Sequence, residues 1–253
     1  MNNTDLHFEK APIVEAIIAI DTTPILNDEQ MAQIEAASES FKADYPESEP
    51  LQHVQFQIGV GLGRLPQQAA QHDATFGRKY VSEDKRQLVV FRRNGFNFSR
   101  LPPYQRWESF RDEAKRLWNE YRTAAGELAI VRFGLRYINR IDIPIGKPID
   151  GFLKLYPQVP DNSDGSFRTI NSSYMRVDSI LTEIPGGQLI IQQASLPQQQ
   201  KEFATLSLDF DISVVTQNGA TEEYVWSALE TARTIKNQLF VDSLQPDFLE
   251  TFR

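Results

Sequence analysis

Between Val131 and Ile143 the chain alternates between apolar and polar side chains with few lapses. Successive side chains of a β-strand point to opposite faces, so a period of two held over that length predicts a strand and argues against a helix. Val131, Phe133, Leu135, Tyr137, Ile141 and Ile143 fall on one face, and Arg132, Gly134, Arg136, Ile138, Arg140 and Asp142 on the other. Residues 205–215 follow the same rule, with Leu206, Leu208, Phe210, Ile212 and Val214 set against Ser207, Asp209, Asp211 and Ser213. Strands with one oily and one charged face imply a sheet covered by helices on one side and open to water on the other.

The rest of the chain supplies the other strands and the cover. Ile13–Ile20 is short and rich in β-branched residues, which predicts a buried strand. Asn27 and Asp28 can cap a helix carrying Met31, Ile34, Phe41 and Tyr45 inward until Pro46 stops it. Val54, Phe56, Ile58 and Val60 alternate as a strand, and Leu65–Ala74 reads as a loop. RKYVS, RQLVVFRR and GFNFSR predict further strands, separated by turn signals at Glu83–Asp84 and Asn94–Gly95. The clearest helix follows Pro102 and Pro103, turns Trp107, Phe110, Ala114, Leu117, Trp118 and Tyr121 to one side, and ends at Gly126.

The second half keeps a similar order. A short helix is expected around residues 149–156, then strands in SYMRVDSILTEI, GQLIIQQASL and TLSLDFDISVV. A last helix opens at Thr221 with Val225, Ala228, Leu229, Ala232, Ile235 and Leu239 inward, and Leu244, Phe248 and Phe252 anchor the tail. The expected fold class is α+β: two similar units, 1–126 and 127–253, each a strand, a helix, antiparallel strands and a long helix, packed as one domain with helices on one face of a curved antiparallel sheet. Order alone does not establish a duplication.

Composition narrows the chemistry. The 253 residues include no cysteine, which removes disulfides, thiolate metal sites and cysteine nucleophiles. His7, His53 and His72 are not at metal-ligand spacing, and no GxSxG elbow supports a hydrolase. Gly59, Gly61 and Gly63 lack the spacing and following helix of a phosphate loop. The start has no basic leader and no run of about 20 apolar residues occurs, so a soluble cytoplasmic protein with no membrane contact is expected. Net charge is -8, yet residues 1–50 carry two cationic and eleven anionic side chains while residues 51–150 carry seventeen and ten. The basic middle and acidic ends are expected to fold against one another.

Arg132, Arg136 and Arg140 lie four residues apart, about 13 Å between successive alpha carbons at roughly 3.3 Å per residue. That is too far for one phosphate, but suits an extended ligand or pairing with Asp209 and Asp211 on a neighbouring strand. The expected ligand-binding set is Arg132, Arg136, Arg140, Asp209 and Asp211 with the turn residues Arg100 and Tyr104, and its partner is a protein or a small anionic ligand. Two other readings stay open. Arginines and lysines interleaved with Tyr80, Phe91, Phe96, Phe98, Tyr104 and Trp107 are compatible with nucleic-acid or nucleotide binding. Asp209 and Asp211 on one strand face have the geometry of a metal-dependent phosphoryl or nucleotidyl transferase, but the preceding SLPQQQKEF lacks its Gly-Ser turn. No cofactor, resident metal or catalytic residue is expected, and the oligomeric state is open.

APIVEAIIAI, FSRLPPYQRWESFRDEAKRLWNEY, GLRYINRIDIP and the FLETF ending together resemble an uncharacterised, sporadically distributed bacterial family of chains of this length. The resemblance spans nearly the whole chain. It implies a single-unit bacterial cytoplasmic protein from a mobile or defence-type gene island, and it carries no catalytic residue over to this chain.

Overall fold

A computed structural model describes residues 8–51, 76–158, 172–198 and 200–253. The strand expected at Val54–Val60, the loop after it, the three glycines and the three histidines lie outside the described residues.

Among the described residues nine strands form one antiparallel sheet: β1 (Ile13–Thr23), β2 (Glu47–Leu51), β3 (Gly77–Val81), β4 (Gln87–Arg92), β5 (Gly95–Arg100), β6 (Ala129–Pro144), β7 (Tyr174–Leu181), β8 (Gly187–Ser195) and β9 (Phe203–Ala220). Their spatial order is β2-β3-β4-β5-β1-β6-β9-β8-β7. The α+β class with helices over one antiparallel sheet is therefore realised, and both halves of the chain contribute to the same sheet. They meet at β1 and β6, which pair antiparallel with Ile18 opposite Leu135 and Ile20 opposite Phe133. On either side of that seam the strands follow in matching order, β5, β4, β3 on one flank and β9, β8, β7 on the other.

The inner face carries Ile18, Ile20, Phe96, Phe98, Phe133, Leu135, Tyr137, Phe210 and Ile212, all buried. Three helices cover it: α1 (Asp28–Ala37), α2 (Trp107–Ala125) and α3 (Glu222–Ser243). α1 starts where expected, because the Asn27 side chain accepts from the Gln30 amide while the Gln30 side chain accepts from the Asn27 amide. α2 buries all six residues assigned to its inner face, and Gly126 ends it at φ +83, a backbone state that costs a residue with a Cβ. Its rings interlock with the sheet: Trp118 meets Phe96 edge-on and Phe110 stacks on Phe98. Each such ring contributes roughly 1.5–3 kcal/mol by leaving water. Tyr80, Phe91, Phe96, Phe98 and Trp107 are all buried in this core, so these five aromatics of the basic middle segment pack inward, while Tyr104 is half-buried. No helix among the described residues is long and apolar enough to cross a membrane.

One strand had no forerunner in the sequence reading, and three local expectations need correction. Glu47–Leu51, acidic and holding Pro50, forms edge strand β2; an edge strand has one unpaired side, where proline needs no ladder bond. The helix expected around residues 149–156 shrinks to the single turn Ile149–Gly151. The following backbone bonds to the end of α3 instead: the Lys154 amide donates to the Ser243 carbonyl at 2.9 Å and the Gln245 amide to the Phe152 carbonyl at 2.9 Å. In β6 a register shift between Ile130 and Arg132 gives the buried place to Ile130, and Val131 is half-buried. In α3, Ile235 and Leu239 are also half-buried, because the inner stripe runs through Asn237 and Phe240.

Candidate functional site

Outer and inner faces of the sheet hold different kinds of polar residue. On the outer face Arg132, Arg136 and Arg140 point away from the helices, as the alternation requires, and each meets a carboxylate. Arg136 forks onto Asp209, with Nε at 3.0 Å from Oδ1 and Nη2 at 2.5 Å from Oδ2. The pair is diagonal, since in register Arg136 stands opposite Asp211 and Ile138 opposite Asp209. Asp209 is only 6% exposed, so the guanidinium is what compensates its desolvation. Arg140 reaches Asp142 at 3.2 Å, and Asp142 also accepts from Thr205 at 2.6 Å. Arg132 lies 3.4 Å from Asp21, which is held more closely by Arg92 at 2.6 Å. Burial raises the Asp211 carboxyl above its ordinary range, against the pull of Arg132 and Arg136 and with a push from Asp209. Each of these three arginines is thus matched by a carboxylate. No grouping of three His, Asp or Glu side chains suited to a metal ion occurs among the described residues.

The inner face has a gap in its apolar packing, and the gap is a cleft of about 390 Å³ between α2 and α3. Its walls mix apolar and polar groups, and Phe8, Tyr104, Trp107, Tyr137 and Phe240 supply the aromatic part. Its polar groups come from three directions. β6 contributes Asn139, whose amide donates to the Leu208 carbonyl at 2.9 Å. α3 contributes Arg233, Lys236 and Asn237; the segment entering α2 contributes Gln105 and Arg106.

Lys236 is the unusual member. Its Nζ stands 3.8 Å from the centre of the Tyr137 ring. Among the described residues no hydrogen-bond acceptor is assigned to it. Desolvation, with the nearby Arg233 charge adding to it, lowers its pKa to about 7. The π-face of Tyr137 opposes that shift by attracting the cation. The side chain as a whole is half-buried, so its crowded end still meets the cleft. Arg233 is weakly engaged: Glu108 is 3.8 Å away and the Trp107 ring 6.0 Å. The Tyr104 and Tyr137 hydroxyls share a hydrogen bond at 2.8 Å, and burial pushes both phenol pKa values upward, so both are neutral at physiological pH.

The two helices bounding the cleft are tied together. Glu230 on α3 accepts from the Trp107 indole at 2.7 Å and from Arg111 at 2.6 Å, both on α2. The chain matches no protein-family model, and no curated protein is significantly similar to it. Similarity assigns nothing. What the site does has to be read from its own chemistry.

Of the residues singled out in the sequence, Tyr104 lines this cleft. Arg100 lines an adjoining recess of about 620 Å³, which Tyr104 also borders. Part of that recess is internally satisfied: the Tyr45 hydroxyl is 2.8 Å from Glu113, and Arg116 is 2.6 Å from the same carboxylate. Burial alone would raise Glu113, but Arg116 and Tyr45 outweigh it and hold its pKa below the ordinary value. The other five, Arg132, Arg136, Arg140, Asp209 and Asp211, stand on the far side of the sheet from the cleft. Lys236, Arg233, Asn237 and Asn139 were missed, although each leaves a trace. Asn139 is the lapse in the inner row of β6 between Tyr137 and Ile141. Continued at helical spacing, the inner stripe of α3 runs through Leu229 and Ala232, then Arg233, Lys236 and Asn237, before Phe240. Two polar lapses in elements that pack together mark one site.

Proposed function

We propose that this protein binds a small organic anion with an apolar or aromatic body in the cleft between α2 and α3, as a binding protein rather than a catalyst. The observation that carries this reading is Lys236: a desolvated ammonium at the cleft with no acceptor among the described residues. A half-buried cation that has lost part of its water and has no acceptor is costly, and an anion of the right size would supply one. Charge supports the same class of ligand. In a chain of net charge -8 the cleft lining holds Arg106, Arg233 and Lys236 against Glu108 alone. The aromatic walls favour a ligand with an apolar portion, and the volume falls in the range of small-molecule pockets. Arg100 and Tyr104, expected to hold the ligand, border this region, whereas the β6 arginines already have carboxylates.

Titration of the full chain with the aromatic sulfonate anilinonaphthalene sulfonate tests this. Saturable fluorescence enhancement is expected near pH 6, weakening as pH rises through about 7, and Lys236→Met should weaken it about tenfold or more. Arg140→Ala, on the opposite face of the sheet, should leave it unchanged. If Arg140→Ala abolishes the signal while Lys236→Met retains it, the anion sits on the outer face and the reading fails. Equal binding by wild type and both variants also overturns it.

A further inference from the structure

Strand β7 ends the sheet on one side, and among the described residues nothing pairs with its outer edge. Sheet edges that stay single are usually blunted by proline, by a bulge, by brevity or by charge, and the two charges of β7 neutralise one another. The opposite edge, β2, has five residues and contains Pro50. β7 has eight residues, no proline and an unbroken register with β8. It also leaves large apolar side chains in water: Tyr174 is 61% exposed, Val177 42% and Ile180 80%.

The register fixes which backbone groups are free. The Ser195 amide donates to the Ser173 carbonyl at 2.9 Å, so Ser173 bonds towards β8. In an antiparallel ladder alternate residues face alternate neighbours. Tyr174, Arg176, Asp178 and Ile180 therefore turn their N–H and C=O groups to the open edge. Their side chains lie on the outer face, where Arg176 and Asp178 now satisfy each other at 2.7 Å.

We infer that β7 is a self-association edge, through which two copies of this chain pair antiparallel about a two-fold axis at Val177, extending the sheet across both. In that register Arg176 faces Asp178 of the partner subunit and Tyr174 faces Ile180 of the partner subunit. These are all residues with outward backbone groups, so each facing pair can exchange main-chain hydrogen bonds in both directions. On the helix side Val177 meets Val177 of the partner subunit in a close, non-hydrogen-bonded pair. Other registers are worse. A shift of two residues sets Arg176 against Arg176, or Asp178 against Asp178. A shift of one sets outward groups against inward ones. The register with full overlap is thus also the one with opposite charges facing and exposed apolar residues matched. An interface of this kind is isologous and closes at two copies.

Sedimentation equilibrium of the full chain, from nanomolar to high micromolar protein, tests this. Wild type is expected to dimerise. Arg176→Asp alone and Asp178→Arg alone place like charges opposite one another, and each should weaken the dimer about tenfold or more. Mixing the two single variants should restore association as a heterodimer, an outcome that misfolding cannot produce; circular dichroism should show both variants folded. A wild type that stays monomeric throughout overturns the inference. So does a dimer that both variants form as well as wild type, since it would use another surface, and so does a mixture that fails to associate.

Discussion

Lys236 costs the fold something, and the direction of that cost with pH follows from its pKa. A lysine lowered to about 7 in the folded chain from an ordinary 10.5 binds fewer protons there than in the unfolded chain between those values. Stability from this group therefore rises with pH across that window, and below about 7 the full penalty of a desolvated cation is present. Lys236→Met should raise the melting temperature of the ligand-free protein near pH 6. A gain of about 1–3 kcal/mol is expected, at roughly 2–4 °C per kcal/mol for a chain of this size. The gain should shrink as pH approaches 10, which thermal melts of both proteins across that range would show. The outer arginines are a contrast at the same scale. The row at Arg132, Arg136 and Arg140 was conspicuous in the sequence because charge breaks an apolar strand, but opposite charges on neighbouring strands cannot be registered without knowing the pairing. Asn139 and Lys236 were inconspicuous because single polar lapses occur in many strands and helices. Only when β6 and α3 are packed together do the two lapses coincide.

Elements with one strong periodic signal were legible, and elements decided by their neighbours were not. α2 reads cleanly because seven of its residues are buried and they all fall on one stripe. β6 and β9 read cleanly because their alternation is long. β2 did not, since Pro50 and its glutamates contradict strand propensity, and only the unpaired side of an edge tolerates them. The turn at Ile149–Gly151 was over-read as a helix, because nothing local reveals that the backbone after it will bond to the C-terminal end of α3. Capping was a local signal and held: Asn27 closes a reciprocal pair with Gln30. Asn27→Ala should cost about 1 kcal/mol, measurable by urea denaturation as a lower midpoint with unchanged slope.

At the scale of the molecule, stability should fall from the β1–β6 seam outward. The seam strands are flanked on both sides and covered by helices, so their amides open only when much of the sheet opens. Among the described residues β7 has one neighbour, and seven of its eight residues are less than fully buried. Hydrogen exchange should therefore leave amides of Ile18, Ile20 and Leu135 protected longest, with the outward amides of β7 exchanging first in dilute protein. Concentrating the protein should slow those β7 amides selectively if two copies pair there. The gradient sets the cleft at the rigid end of the molecule, above β6. There the Glu230 carboxylate, clasped by Trp107 and Arg111, fixes the spacing of the two helices before anything arrives. An occupant of the cleft would meet a finished cavity: little freedom remains to be surrendered on binding, and selectivity would come from fit to a set shape rather than from closure around whatever enters.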